Sequence, residues 1–406
     1  MTPAEKIAAR LKAAREDAGL TQSQVADWLD VRRPSIPEIE SGKRAVKSGE
    51  LARLSSLYGR SLSWLLGRDS ETEDRLAGAL FRAGESTDPV LAREANLLRR
   101  RCRLLAKSER RMGAQSTRTL PQYPDDTALE DYSDAMRHGT EVAHQERQRM
   151  GFGLHAPLRD PWGIVEGAGL RVFPLRLGDQ HPVDGIFAVT EDGHACAGVN
   201  TDKWVFRQVF SVIHEYAHAL FDRATGSDIC KHNRAWTAGH RTVYANRELR
   251  ANQFAAAFLV PREALLRYLD GIRKLDRKGV AVGLTAVEVV RAQDHFGVSA
   301  EMLLWRLQHE HLVAGEQRRA LKADLDAKGV LNIAKSLGYA WRDQAQLVTR
   351  AQETAKQAYA LGHLSLGELA EILGLGKAQT LQRLSDWGVS QEFDEKDALV
   401  GAARSV

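Results

Sequence analysis

Val209-Phe210-Ser211-Val212-Ile213-His214-Glu215-Tyr216-Ala217-His218-Ala219-Leu220-Phe221 is the stretch from which the rest of the chain is read. On a helix, positions four apart project only about 40° from each other, so His214 and His218 direct two imidazoles at one point and Glu215 flanks them. Two neutral nitrogen ligands hold a divalent cation without cancelling its charge, and a neighbouring carboxylate takes a proton from bound water. Val212, Ile213, Ala217, Leu220 and Phe221 give the helix an apolar back, which buries it and fixes both histidine rotamers. The alternative for this short pattern is a pair of core or surface histidines with no metal.

A third ligand is available in Asn246-Arg247-Glu248-Leu249-Arg250-Ala251-Asn252-Gln253-Phe254-Ala255-Ala256-Ala257-Phe258-Leu259-Val260-Pro261. This segment predicts a second helix, rich in Ala and stopped by Pro261, with Glu248 in its first turn. Small Ala side chains allow close packing against the first helix, so Glu248 can complete a His-His-Glu set with one position left for water. Together the two blocks resemble the ImmA/IrrE family of bacterial zinc metallopeptidases, which pairs HExxH with a later Glu- and Ala-bearing helix. The resemblance covers about Asp131 to Leu312. It implies a zincin-like domain with a small β-sheet, Zn²⁺ held by His214, His218 and Glu248, and Glu215 as general base. It further implies that the substrate is a partner helix-turn-helix repressor, cut in response to a signal such as single-stranded DNA or DNA damage. Cleavage would derepress stress, mobile-element or defence genes.

The chain has 406 residues, 43% hydrophobic residues and a net charge of +4. That length predicts two to four domains, and the modest charge means that nucleic-acid affinity must come from local patches. No apolar run approaches the eighteen or so residues of a membrane span, and Met1-Thr2-Pro3-Ala4-Glu5-Lys6 has no apolar secretion signal. Cys102, Cys196 and Cys230 are too few and too scattered for a disulfide framework, so a reducing cytoplasm is expected.

Residues 1–68 predict five short helices: one through Ile7, Leu11 and Ala14, a second capped by Thr21, and others near 34–41, 48–58 and 61–66. With Leu20-Thr21-Gln22 and Ile39-Glu40-Ser41-Gly42-Lys43-Arg44, they resemble the lambda-repressor/Cro-type helix-turn-helix family. That resemblance implies base contacts from Arg32, Arg33 and Ser35, and phosphate contacts from Gln22, Lys43 and Arg44. Pro37 falls inside the presumed recognition helix, where it removes a backbone donor; with Pro34 opening the helix, the distortion stays in its first turn. A helix-turn-helix reused for protein contact or dimerisation is the alternative.

Residues 69–130 predict a connector. Leu91 to Arg111 reads as a basic amphipathic helix, whose Arg99, Arg100, Arg101 and Arg103 are candidates for binding single-stranded nucleic acid or another polyanion. Gln115 to Asp126, with Pro121 and Pro124, reads as an extended linker and a candidate self-cleavage site. Cys102 sits among the arginines, which would lower its pKa. One hypothesis makes it an inhibitory fourth zinc ligand; the other, an ordinary half-buried cysteine.

Within 131–314 the pattern predicts a long helix over 131–151 and strands at 170–175, 185–190 and 194–199, the last two joined as an antiparallel hairpin. Asp184 to Val189 is the expected free edge along the cleft. Residues 226–247 read as irregular, with His232 and His240 as lesser cleft candidates. Residues 315–406 predict further helices, including a pair at 365–384 that resembles a helix-turn-helix. The fold class expected is α+β and mostly helical, and the function expected is a regulatory zinc endopeptidase. The competing function is a DNA-binding regulator with a structural or vestigial zinc site.

Overall fold

The computed structural model describes residues 3–17, 20–58, 65–66, 89–113, 120–123, 131–190, 193–223, 228–230, 243–327 and 349–389. The helix expected near 61–66 lies mostly outside the described residues, as do most of the 115–126 linker and both His232 and His240.

The N-terminal unit contains α1 (Pro3–Asp17), α2 (Gln22–Leu29), α3 (Ser35–Glu40) and α4 (Ser48–Tyr58). Leu11, Val25, Ile36, Ile39, Leu54 and Leu57 close its core. Thr21 and Gln24 form a reciprocal capping box at the start of α2, and Asp30, at φ 59°, ends that helix in the left-handed region. Pro34 is the N-cap of α3. Pro37 therefore falls in the first turn, where a missing backbone donor costs nothing.

Helix α5 (Pro89–Arg111) follows. Leu91, Ala95, Leu98, Cys102 and Leu105 recur every three or four residues along it, and all are buried. This stripe packs on the sheet, not on solvent. Helices α6 (Tyr132–Arg149) and α7 (Pro161–Ala168) lead to β1 (Arg171–Leu175), β2 (Gly185–Val189) and β3 (Ala195–Asn200). Next come α8 (Val205–Phe221), the short β4 (Asp228–Cys230) and α9 (Val243–Leu259). The sheet order is β1-β3-β2-β4; β1 runs parallel to β3, and the other pairings are antiparallel. The β2–β3 hairpin is the one expected from sequence.

The strand alternation gives the sheet two apolar faces. Val172, Phe187, Ala197 and Val199 join the core around α8, while Phe173, Ile186, Ala188 and Cys196 join the core around α5. Behind α8, α9 packs on α6 so closely that a Cβ on Gly139 would lie 2.6 Å from the Arg250 carbonyl oxygen. The long, Ala-rich α9 thus finds its neighbours through small residues on both sides.

Helices α10 (Arg262–Gly271), α11 (Ala286–Phe296), α12 (Ala300–His309) and α13 (Gly315–Ala327) complete this core. Leu321 and Leu325 of α13 are buried in it, so the packed unit extends past the boundary drawn at 314. The helices α14 (Arg350–Ala360), α15 (Leu366–Leu373) and α16 (Lys377–Asp386) form a small bundle that shares the α5 face of the sheet. The bundle is fastened to the rest by Glu166 of α7, which accepts backbone N–H groups of Arg350 at 2.9 Å and Ala351 at 3.2 Å, at the start of α14. Burial raises the Glu166 pKa from 4.5 to about 7; the two N–H donors oppose the shift and Asp160 adds to it.

Two outcomes are expected. Gly139→Ala gains about 1 kcal/mol of helix propensity, but the backbone clash with α9 costs more. A net loss of roughly 1–2 kcal/mol should appear as a lower thermal midpoint. For Glu166, a pKa raised on folding means that its stabilising contribution is full below the ordinary carboxylate range and is lost as pH rises through about 7. Urea unfolding of the wild type should therefore show falling stability between about pH 5 and pH 8. Glu166→Gln should flatten that slope, by up to about 3 kcal/mol.

Candidate metal centre

Helix α8 is buried on every side, including His214, Glu215 and His218. Tyr216, on its back, donates its hydroxyl to Glu146 of α6 at 2.6 Å, and Glu146 also receives Arg149 and the Tyr123 hydroxyl. That network fixes the rotation of α8 about its axis and so the direction of both imidazoles.

Their ring nitrogens converge, with His214 Nε2 and His218 Nε2 3.1 Å apart. From α9, Glu248 brings Oε2 to 3.4 Å from His214 Nε2 and Oε1 to 3.4 Å from His218 Nε2. One donor atom from each of the three residues lies within 4.8 Å of the others, and all three residues are buried. Glu248 is in the second turn of α9, because that helix begins at Val243 and not at Asn246 as the sequence pattern suggested.

The donor chemistry fits a tetrahedral cation of intermediate softness: two imidazole nitrogens, one carboxylate and room for a fourth ligand. Asp222, at the end of α8, supports it by pairing with His218 Nδ1 at 2.8 Å. A carboxylate on Nδ1 fixes the ring's orientation and leaves Nε2 to point inward. Asp222 is itself held by Arg250 Nη2 at 2.8 Å. Burial opposes a charged His218, but the Asp222 and Glu248 contacts prevail and lift its pKa well above the usual range. Burial likewise pushes Glu248 upward, and hydrogen bonds from His214 and His218 overcome it, holding the carboxyl far below its usual range. A negative group held in place against its desolvation cost is what a cation site requires.

Glu215 extends toward β2. A Cβ on Gly185 would lie 2.2 Å from its Oε1, so any larger residue there would displace this carboxylate. Phe187, two residues on and on the same face, stacks near the His218 ring at a centroid distance of 6.2 Å. Asp222, Arg250 and Gly185 were not singled out from the sequence. Asp222 had a signal, since it continues the four-residue spacing from His214 and His218; Gly185 and Arg250 had none.

Segment 184–189 is not the open edge of the sheet, because β4 pairs with Gly185, Ile186 and Phe187. A strand that short is defined by its partner and leaves no periodicity to read. Cys102 is not brought to the metal centre: it belongs to the buried stripe of α5, beside Cys196 on the opposite face of the sheet. Its spacing as one more apolar position outweighed its chemistry. Nor do the four connector arginines form an open basic face. Arg99 and Arg101 are each 7% exposed, Arg103 is half-buried, and Arg100 pairs with Glu371 at 2.5 Å.

In the N-terminal unit, Arg32, Arg33 and Lys43 are exposed. Gln22 donates to Glu40 at 2.8 Å, Arg44 pairs with Glu50 at 2.6 Å, and Ser35 is buried. The last three are occupied inside the unit, which leaves Arg32, Arg33 and Lys43 as its open cationic positions among the candidates.

Residues 165–308 match the IrrE N-terminal-like domain of the peptidase M78 family, and residues 6–63 match a helix-turn-helix domain family. The HTH-type transcriptional regulator ImmR of Bacillus subtilis (strain 168) is 38% identical over 60 residues, which are 15% of this chain and 47% of that regulator. The chain thus spans about half the length of that relative. Among the described residues, no helix is long and apolar enough to cross a membrane.

Asp222→Asn should keep the fold but weaken divalent-metal binding roughly 10–100-fold, as read by competition with a chromophoric chelator. Unchanged affinity would remove Asp222 from the support of the site.

Proposed function

We propose that this chain, which joins a helix-turn-helix domain to a metallopeptidase-like M78 domain, is a regulatory zinc-dependent endopeptidase whose substrate is a helix-turn-helix repressor. The observation that supports it most is the convergence of His214, His218 and Glu248 within 4.8 Å, with Glu215 beside His214 on α8. His214, His218 and Glu248 would hold Zn²⁺. A cation bound there supplies Lewis-acid polarisation of a peptide carbonyl and acidifies a water.

The chain's own residues supply the rest. Glu215 accepts the water's proton and returns it to the leaving amine. Asp222 keeps the His218 Nε2 directed at the centre, and Gly185 gives Glu215 room to stand between the metal ligands and the sheet. An extended substrate backbone would pair on this side of the sheet, on β4 or in its place. Cleavage of a repressor is the outcome implied by the family resemblance, and the likeness to a named transcriptional regulator supports a setting in gene control. On this reading the inducing signal, such as single-stranded DNA or DNA damage, relieves repression of stress, mobile-element or defence genes.

The exposed Arg32, Arg33 and Lys43 favour a second reading, in which the chain itself binds operator DNA and its metal site is structural. The two readings part in one experiment: incubation with candidate repressors, with and without Zn²⁺, alongside a gel shift on promoter DNA. The peptidase reading expects zinc-dependent cleavage that is abolished in Glu215→Gln. It also expects a loss of about 100-fold in Gly185→Ala, with metal still bound, because the added methyl displaces Glu215 by an ångström or more. Cleavage that persists in Glu215→Gln, or a promoter shift with no cleavage of any repressor, would overturn it.

A further inference from the structure

A cavity of about 200 Å³ opens between α5, the end of β1 and the C-terminal helices α15 and α16. Its lining includes Arg93, Arg101, Arg176 and Arg383 against a single carboxylate, Glu94, with Trp387 as a flat apolar wall. Four guanidiniums against one lining carboxylate leave the cavity with an excess of positive charge, which a bound anion would offset.

Arg101 is the central member. It is 7% exposed, and its hydrogen bonds go to backbone carbonyls: Nε donates to Glu371 at 2.9 Å and Nη1 to Pro174 at 3.2 Å. Its Nη2 makes no hydrogen bond among the described residues and lies against Gly374, where a Cβ would approach it to 2.8 Å. Gly374 also lines the cavity. Burial lowers the Arg101 pKa below the usual guanidinium range, and the nearby Glu94 and Glu371 offset only part of that cost. Glu371 is already engaged by Arg100, and Glu94 by Arg93 at 3.3 Å. Arg383, across the cavity, is exposed, and its guanidinium has no ion pair among the described residues. Arg176 is ion-paired outside the lining, with Asp202 at 2.9 Å.

A buried cation with a spare donor, ringed by further cations, is a site short of negative charge. Planar guanidiniums favour oxyanions that accept several hydrogen bonds at once. The cavity is too small for a polymer strand, and Leu373, Leu375 and Trp387 offer apolar surface beside the charge. We propose that this cavity binds a small phosphate-bearing anion, with its phosphoryl oxygens on Arg101, Arg93 and Arg383 and any attached ring against Trp387. The ligand would sit where the helix leaving the helix-turn-helix unit meets both the sheet and the C-terminal bundle, and so would clamp α15 and α16 to α5. The site does not depend on the peptidase reading, and binding alone tests it.

The test is calorimetric titration of the full chain with pyrophosphate, ADP and adenosine at matched ionic strength. Pyrophosphate or ADP should bind and adenosine should not. Arg383→Glu and Arg93→Gln, both at the solvent side of the cavity, should each weaken binding by about tenfold or more with an unchanged circular dichroism spectrum. Tighter binding of ADP that Trp387→Phe reduces to the pyrophosphate level assigns a nucleoside phosphate; equal binding insensitive to that change assigns a simple phosphate. Adenosine binding as well as ADP, no heat with either anion, or affinities unchanged in both arginine variants would overturn the proposal.

Discussion

Asp222 is shared between His218 and Arg250, and the arrangement of the metal centre depends on that sharing. One oxygen faces His218 Nδ1 at 2.8 Å and the other accepts from Arg250 at 2.8 Å. Arg250 and Glu248 stand two residues apart on α9, so the contact that orients a histidine of α8 also sets where α9 delivers its carboxylate. Three buried charged or polar groups would each be costly alone. Linked in a chain, each satisfies the next, and breaking any link leaves a desolvated charge behind. Gly139 lets α6 close on α9 from behind, and the Tyr216–Glu146 contact holds α8 in rotation. The centre is thus positioned by helix packing.

The four-stranded sheet divides the chemistry of this molecule in two. One face carries Gly185 and Phe187 toward Glu215 and His218. The other carries Ile186, Ala188 and Cys196 toward α5 and the C-terminal bundle. Successive residues of one strand therefore serve both faces. Helix α5 also packs on α4. Helix α5 thus touches the helix-turn-helix unit, the arginine-lined cavity and the sheet that borders the metal centre.

Much of this was legible in the sequence. The HExxH spacing placed two imidazoles on one helix face, the Ala-rich block identified the partner helix, and the β2–β3 hairpin followed from alternation about a Gly-containing turn. These signals are local: each depends on residues within a few positions of one another. What was missed depends on distance. The Arg101 partners are carbonyls of Glu371 and Pro174, and nothing near position 101 announces them. Arginines that look like a solvated face become buried fasteners once a C-terminal bundle covers them. Cys102, conspicuous as a lone thiol among arginines, is one tooth of an apolar stripe.

The sequence by itself determined which residues could form a metal site, which helices and strands would carry them, and that a helix-turn-helix unit precedes them. Hydrogen-bonding period and side-chain chemistry are properties of short segments, so they survive in one dimension. Only the tertiary structure decided that β4 covers the expected edge, that Asp222 and Arg250 lock the ligands, and that Cys102 lies on the far side of the sheet. Those outcomes depend on which surfaces meet, and the meeting is set by close packing and charge compensation between segments far apart in the chain.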